Sequence, residues 1–318
     1  MSFRPDRPPT PPNEQDPRAL VERFIERELK ERYESAVVAL NKAGLWEPLL
    51  DYPDQLGITG MDEREYPLPT TEGIAVELRN YPEVYGKKLE AGFGRVVPVP
   101  IAAPLDHLAR ILSSRILAHH NAGKLLAHDG TKLELDTNQP LYTWDGWNNA
   151  DRNGQTVYYP TQFDQTNHGG VTKTQLLDQL QHSPFPGYNL LLLPKASAIP
   201  QQWKPGQRAD LASGKSGRDY LKTLQTTPDY AQETGLTLED WLTLALAHLE
   251  ATNQVLDDYQ GDGKISWLTG SYHPSSDIVG DAYWSRDSRQ ANLYRYDPDF
   301  RNADNGLRPA VRMGRLEV

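Results

Sequence analysis

The stretch 281–305 reads DAYWSRDSRQANLYRYDPDFRNADN and differs in composition from the rest of the chain. Tyr, Ser, Asp and Asn fill more than half of it, and aliphatic side chains are nearly absent. The segment Ala282–Trp284 precedes its polar part, and the strand-like segment Gly306–Arg312 follows it. Tyr and Trp offer a large contact area at a low cost in entropy, while Ser and Asn form adaptable hydrogen bonds. We therefore expect a displayed loop, residues 283–305, held between two strands.

The expected loop needs apolar support beneath it. We expect Trp284, Leu307 and Val311 to be buried there, because large apolar side chains are the usual core residues. The polar side chains between Tyr283 and Asn305 are expected to be exposed, with few buried partners.

The rest of the chain alternates between helical and strand patterns. Asp16 and Pro17 provide an N-cap and a first-turn proline, and a stripe of apolar residues continues the helix to about Ala43, where Gly44 ends it. Thr237 is the predicted N-cap of a later helix. The further predicted helices are Leu105–Ala122, Thr172–Gln181, Ser216–Leu224 and Leu238–Leu256. The predicted strands are Ile74–Leu78, Arg95–Pro100, two pieces within Leu141–Tyr159, Tyr188–Leu193, Lys264–Leu268, Ala282–Ser285 and Leu307–Met313.

These elements predict an α+β protein in three parts. Residues 1–15 are rich in proline and are expected to form a disordered arm. Residues 16–130 form a mainly helical N-terminal part, and residues 131–318 form a domain with short strands and helices. The first helix has one apolar stripe that packs either on its own domain or on another copy. A homo-oligomer is therefore one of the predicted assemblies.

The composition excludes several classes of function. A net charge of -10 leaves no excess of Lys and Arg to neutralise phosphates, so no nucleic-acid partner is expected. No apolar run approaches the length of a membrane span, so no membrane insertion is expected. The N-terminus has no apolar segment typical of a signal peptide. We expect a cytoplasmic or virion-associated protein.

Two motifs resemble one known family. The terminal segment Gly306–Arg312 reads GLRPAVR, and with Trp284 before the polar tract it resembles the end of a C-type lectin-like domain. The segment Thr237–Trp241 reads TLEDW and resembles a helix start in the formylglycine-generating-enzyme branch of that fold. The variable proteins of diversity-generating retroelements are similar to the same branch. The resemblance covers about residues 140–318 and implies a C-terminal C-type lectin-like domain.

The resemblance also implies a set of ligand-binding residues. In variable proteins of this family, template adenines are randomised, and the affected codons change to those for Asn, Asp, Tyr and Ser. The tract then serves as a diversified surface for a protein or carbohydrate ligand. The residues that fit this alphabet are Tyr283, Ser285, Asp287, Ser288, Asn292, Tyr294, Tyr296, Asp297, Asp299, Asn302, Asp304 and Asn305.

The absence of cysteine decides against one activity of the family. Formylglycine-generating enzymes use cysteine thiols for their oxidation, and this chain has none. We therefore predict a binding protein and no enzyme. Two alternatives remain open: a structural component of a phage or surface assembly, and an enzyme of the lectin-like branch that uses carboxylates.

No cofactor is predicted, with calcium as the alternative. The loop Trp144–Gly154 offers several Asp and Asn oxygens, although turns built from such side chains are more common than calcium loops. Asp258, Gln260 and Asp262 match the first ligand positions of an EF-hand, but Thr269 stands where the final Glu is needed. A turn is the better interpretation of that segment.

Overall fold

The computed structural model describes residues 16–195, 208–261 and 264–314. These residues form a mixed α+β structure with three β-sheets. The predicted arm, residues 1–15, and Asp262 of the EF-hand-like segment lie outside the described residues. Within the described ranges, none of the helices combines the length and the apolar character needed to cross a membrane.

The described helices are α1 (Pro17–Phe24), α2 (Lys30–Lys42), α3 (Thr71–Asn80), α4 (Pro82–Glu90), α5 (Leu105–Asn121), α6 (Lys173–Leu180), α7 (Gly217–Thr226) and α8 (Leu238–Thr252). The described strands are β1 (Glu47–Pro48), β2 (Leu56–Thr59), β3 (Glu65–Pro67), β4 (Phe93–Val99), β5 (Leu141–Thr143), β6 (Val157–Tyr158), β7 (Val171–Thr172), β8 (Asn189–Pro194), β9 (Glu233–Gly235), β10 (Asp258–Tyr259), β11 (Ile265–His273), β12 (Ile278–Ser285), β13 (Gln290–Tyr296), β14 (Asn305–Leu307) and β15 (Pro309–Met313).

Two larger sheets meet near the C-terminus. The first has eight strands in the main order β5-β13-β12-β11-β6-β7, with β10 paired to β12 and β14 paired to β11. The second is antiparallel and has four strands in the order β4-β8-β15-β9. Because β14 belongs to the first sheet and β15 to the second, the chain passes between the sheets at Arg308. A small sheet, β1-β2-β3, lies apart from both.

The predicted helix starts are confirmed by their caps. The Asp16 carboxylate accepts a hydrogen bond from the backbone N–H of Arg18 at 3.0 Å. At α8, Thr237 Oγ1 accepts from the N–H of Asp240 at 3.1 Å, and Asp240 accepts in return from the N–H of Thr237 at 2.8 Å. This reciprocal pair satisfies two N–H groups that a helix start leaves free. A π-helical turn, Ile25–Leu29, separates α1 from α2.

The strand predicted at Ile74–Leu78 is wrong, because this segment lies within helix α3. Thr70 caps the helix by accepting a hydrogen bond from the N–H of Gly73 at 3.0 Å. Ile74 and Leu78 are both buried, which is the four-residue spacing of one helix face. The apolar run is short enough for a strand, but the capping hydrogen bond of Thr70 stabilises the start of a helix instead.

The boundary expected near residue 130 does not coincide with a break between hydrophobic cores. Strand β4, from the N-terminal part, pairs along β8 in the register Val96 with Leu192 and Val99 with Asn189. One continuous core cluster contains residues from Val21 to Met313. The N-terminal helices therefore pack on the same core as the C-terminal strands.

The displayed loop expected over residues 283–305 is a hairpin for most of its length. Strands β12 and β13 pair in antiparallel register, with Ala282 opposite Leu293 and Trp284 opposite Ala291. These side chains belong to the main core, and α8 lies against the same face through Trp241. Strand β13 was not predicted from the sequence, because its apolar residues occur only at every second position and polar residues lie between them.

The support predicted beneath the tract is confirmed. Trp284 and Leu307 are each 1% exposed and Val311 is 0% exposed.

A buried carboxylate ties the hairpin to the rest of the fold. One Asp257 oxygen accepts hydrogen bonds from Trp241 Nε1 at 2.8 Å and from Ser266 Oγ at 2.7 Å. The other accepts from Arg308 Nη2 at 3.2 Å, and the backbone carbonyl of Asp257 accepts from the N–H of Trp284 at 2.9 Å. This residue therefore links α8, β11, β12 and the junction of the two larger sheets.

We expect Asp257→Ala to lower the free energy of unfolding by about 3–5 kcal/mol, because it removes a buried carboxylate that pairs with Arg308 and accepts hydrogen bonds from Trp241 and Ser266. Urea unfolding followed by Trp fluorescence measures the change. Asp178→Ala, at an exposed position on α6, is the matched control and should change stability by less than about 0.5 kcal/mol. Equal effects of both substitutions would contradict the anchoring role of Asp257.

Candidate functional site

The structure divides the predicted binding residues among three positions. Tyr283 and Ser285 lie on β12, and Asn292, Tyr294 and Tyr296 lie on β13. The turn between the strands contains Asp287 and Ser288, both exposed. The segment after β13 and the start of β14 contain Asp297, Asp299, Asn302, Asp304 and Asn305.

The register of the hairpin places the tyrosines on the face that turns away from α8. Tyr283 lies opposite Asn292, and Asp281 lies opposite Tyr294. Because paired residues of antiparallel strands point to the same side, these four share one face with Tyr296. Alternate residues of both strands point into the main core beside α8. On the other face, Val279 is buried in a second core cluster and Asp281 is also buried, whereas Tyr283, Tyr294 and Tyr296 are partly exposed. We call this second face the outer face.

Six aromatic residues lie on and beside this outer face in two groups of contacting rings, and we call them the aromatic face. Each is half-buried, and each ring contacts at least one other. The members are Tyr142, Tyr259, Tyr283, Tyr294, Tyr296 and Phe300.

The ring contacts give the aromatic face its extent. Tyr294 contacts Tyr142 and Tyr296, with both centroid separations at 5.7 Å. Tyr296 stacks in parallel on Phe300 at 4.1 Å, and Tyr283 contacts Tyr259 at 5.6 Å. The rings come from four strands (β5, β10, β12 and β13) and one loop, so the sheet fixes their relative positions.

Asp281 lies within the aromatic face and is fully buried. Its cross-strand neighbours are Tyr294 on β13 and Trp267 on β11, and Tyr283 follows two residues along β12. Neither carboxylate oxygen has a hydrogen-bond partner among the described residues. Burial raises the pKa of Asp281 well above its usual value. Burial also raises the pKa of Tyr283 and Tyr296, and the Asp281 carboxylate adds to both shifts.

The expected exposure does not hold for three of the predicted residues. Ser285 is 8% exposed, Asn292 is 6% exposed and Asn305 is 0% exposed. Ser285 Oγ accepts from the N–H of Ser288 at 3.2 Å, so it shapes the hairpin turn. The amide of Asn292 donates to the carbonyl of Gln290 at 3.2 Å. Each occupies an inward or closely packed position that sequence spacing alone did not reveal.

Several exposed carboxylates of the tract are paired with cations. Asp299 accepts from Arg218 Nε at 2.7 Å, and Asp304 forms an ion pair with Lys264 at 2.7 Å. These contacts hold the segment after β13 against the sheet. Surface ion pairs add little to stability, so their main effect is to fix the position of this segment.

The loop predicted as an alternative calcium site has an internal cation partner. Asp151 is buried, and its Oδ2 accepts from Lys173 Nζ at 2.9 Å and from the N–H of Leu105 at 2.9 Å. Lys173 also donates to Glu239 Oε1 at 2.9 Å, and Tyr158 donates to the same oxygen at 2.6 Å. The pKa of Lys173 is raised: burial alone lowers it, and the carboxylates of Glu239 and Asp151 more than offset that effect.

The other candidate ligands are likewise engaged or dispersed. Asp258, the first position of the EF-hand-like segment, accepts two hydrogen bonds from Arg286 at 2.9 and 2.6 Å. Across residues 16–195, 208–261 and 264–314, no three His, Cys, Asp or Glu side chains are grouped closely enough to hold a metal ion.

Sequence reasoning missed four members of this surface: Asp281, Tyr142, Tyr259 and Phe300. The period of two in Asp281 and Tyr283, and again in Tyr294 and Tyr296, is the signal that could have found the strands and their outer face. Tyr142 and Tyr259 lie far away in sequence, and only strand pairing brings them to the hairpin.

Comparisons with protein-family models, with curated proteins and with solved structures return no match to this chain. The likeness to C-type lectin-like domains therefore stays a prediction from the motifs.

We expect Asp281→Asn to stabilise the protein above about pH 4. The folded protein holds the Asp281 proton to a higher pH than the unfolded chain, whose carboxyl has a pKa of 3.8. This residue therefore favours folding fully only below that value, and its contribution is lost as the pH rises through the folded-state pKa. The neutral amide avoids the loss.

Urea unfolding at a series of pH values measures this effect. The stability difference between Asp281→Asn and the unchanged protein should be near zero at about pH 3.5 and should grow with pH. Asp287→Asn removes an exposed carboxylate of the same hairpin and serves as the control, with a small difference at every pH. A difference that is independent of pH would show that Asp281 does not titrate as expected.

Proposed function

We propose that this protein binds a ligand through the aromatic face and performs no catalysis. The observation that carries the proposal is the set of half-buried, mutually contacting rings on the outer face of a hairpin whose inner face is core. Tyrosines are frequent at binding surfaces because they combine a large apolar area with a hydroxyl group and few rotatable bonds. The strands hold these rings in place before a ligand arrives, which reduces the entropy lost on binding.

We further propose that the scaffold is C-type lectin-like and that the tract is the diversified surface of a retroelement variable protein. The arrangement of the hairpin supports this second step. Tyr283, Tyr294 and Tyr296 alternate with core residues and are partly exposed, so their side chains can change while the backbone pairing stays the same. The exposed turn residues Asp287 and Ser288 extend the surface at one end.

Binding to arrayed glycans and arrayed peptides tests the first step. We expect ligands found with the unchanged protein to lose at least about tenfold in affinity with Tyr294→Ser, since central aromatic residues dominate binding energies. Tyr52→Ser is the matched control, because Tyr52 is exposed and lies in the segment between β1 and β2. Thermal unfolding verifies that both variants fold.

Two outcomes would contradict binding by this face: affinity that survives Tyr294→Ser, or an equal loss in Tyr52→Ser. The diversification step has its own test in the genome. A nearby reverse transcriptase gene with a near-copy of the coding sequence for residues 283–313, differing at adenines, supports it. Absence of such a template removes the diversification and leaves the binding proposal standing.

A further inference from the structure

Asp281 is a buried carboxyl at the centre of the aromatic face, without a positively charged partner among the described residues. It is 0% exposed, and both of its oxygens lack hydrogen-bond partners. No Lys, Arg or His of the described residues forms an ion pair with it. Buried carboxylates are normally paired, because water no longer solvates the charge. A positive charge on a ligand bound over the aromatic face would supply the counter-charge that the described residues do not give to Asp281.

The positively charged side chains described around the hairpin interact with groups other than Asp281. Each of them forms an ion pair with a carboxylate other than Asp281 or lies against a ring. The pairs are Arg218 with Asp299, Lys264 with Asp304, Arg286 with Asp258, Arg289 with Glu134 and Arg301 with Asp219. Arg295 lies over the ring of Trp144, 4.9 Å from its centroid.

The rings around Asp281 add a second attraction for cations. Tyr283, Tyr294 and Tyr296 surround the carboxylate and present half-buried rings towards solvent. The face of an aromatic ring attracts a cation within about 6 Å of its centroid. A charge beneath the rings acts through protein rather than water, so it is screened less than a surface carboxylate. Ring and carboxylate therefore favour the same kind of ligand group.

We propose that the aromatic face recognises a basic protein segment, with a Lys or Arg side chain held on the rings of Tyr283, Tyr294 and Tyr296 above Asp281. This inference rests on the proposed function and narrows its ligand from protein or carbohydrate to a protein with an exposed positive charge. The overall charge of -10 assists the approach of such a partner.

The affinity should depend on pH in a defined direction. The charged form of Asp281 attracts the ligand cation, and burial raises the pKa of Asp281 in the free protein. Affinity is therefore expected to increase as the pH rises through the raised pKa of Asp281, with proton release on binding. The other titratable groups that face Asp281 are Tyr283, Tyr294 and Tyr296. Burial raises the pKa of Tyr283 and Tyr296, so their ionisation does not interfere in this range.

The test uses Nα-acetyl-lysine methylamide as the probe and Nα-acetyl-norleucine methylamide as its neutral counterpart. Tyrosine ring resonances in NMR spectra of the full chain report on binding at the aromatic face. We expect a saturable shift with the lysine probe and none with norleucine. Asp281→Asn should weaken lysine binding about tenfold and abolish its pH dependence. Asp178→Asn, at an exposed carboxylate on α6 outside the aromatic face, should change it less than about twofold.

Three results would overturn the inference: equal binding of norleucine and lysine, unchanged affinity in Asp281→Asn, or an equal loss in Asp178→Asn. The array experiment separates this failure from that of the proposed function. If the ligands found on the arrays are neutral glycans or acidic peptides, and if Tyr294→Ser weakens their binding, the proposal of a basic ligand is refuted and the proposed binding function is retained. Ligands whose affinity is unchanged by Tyr294→Ser would refute both the basic ligand and the proposed binding function.

Discussion

The contact between Asp257 and Arg308 determines how the two larger sheets are joined. Arg308 lies between β14 of one sheet and β15 of the other, and its guanidinium is buried at 4% exposure. The pKa of Asp257 is raised because the residue is buried. The charge of Arg308 and the hydrogen bond from the indole N–H of Trp241 offset only part of that effect. A buried arginine needs a carboxylate partner, so the position of Asp257 fixes where the chain can pass between the sheets. The hairpin and α8 are arranged around that point.

The buried carboxyl groups of the interior respond to pH in two opposite ways. Burial raises the pKa of Asp240 to about 6, and it also raises the pKa of Asp281. The contribution of these two residues to the stability of the fold therefore decreases as the pH rises. Asp151 and Glu250 have lowered pKa values despite burial, because Lys173 and Arg115 are among their partners, and their support weakens as the pH falls. The stability of the fold is therefore a balance between the two sets.

Local signals in the sequence predicted much of the secondary structure. Asp16 with Pro17 and Thr237 act through neighbours within one helical turn, so the sequence contains all of the information for these caps. The strand at Tyr188–Leu193 follows from an uninterrupted apolar run that continues across a buried sheet. The helix over Ile74–Leu78 was missed because its apolar run is too short for its period to be distinguished from that of a strand.

The candidate site was less predictable, because strand register assembles it. Tyr142 reaches Tyr294 only through the parallel pairing of β5 with β13, a contact between residues distant in sequence. The burial of Asp281 follows from its place in a central strand, whereas composition indicated an exposed loop. The polar and aromatic character of the tract was visible in the sequence, but its division into two faces was not.

That division separates two kinds of constraint within a single pair of strands. Trp284 and Leu293 are limited by the shape of the interior, so few substitutions fit there. Tyr283 and Tyr294 meet solvent on one side and are limited mainly by what they contact there. Adjacent codons of the same gene segment therefore encode side chains under different steric limits.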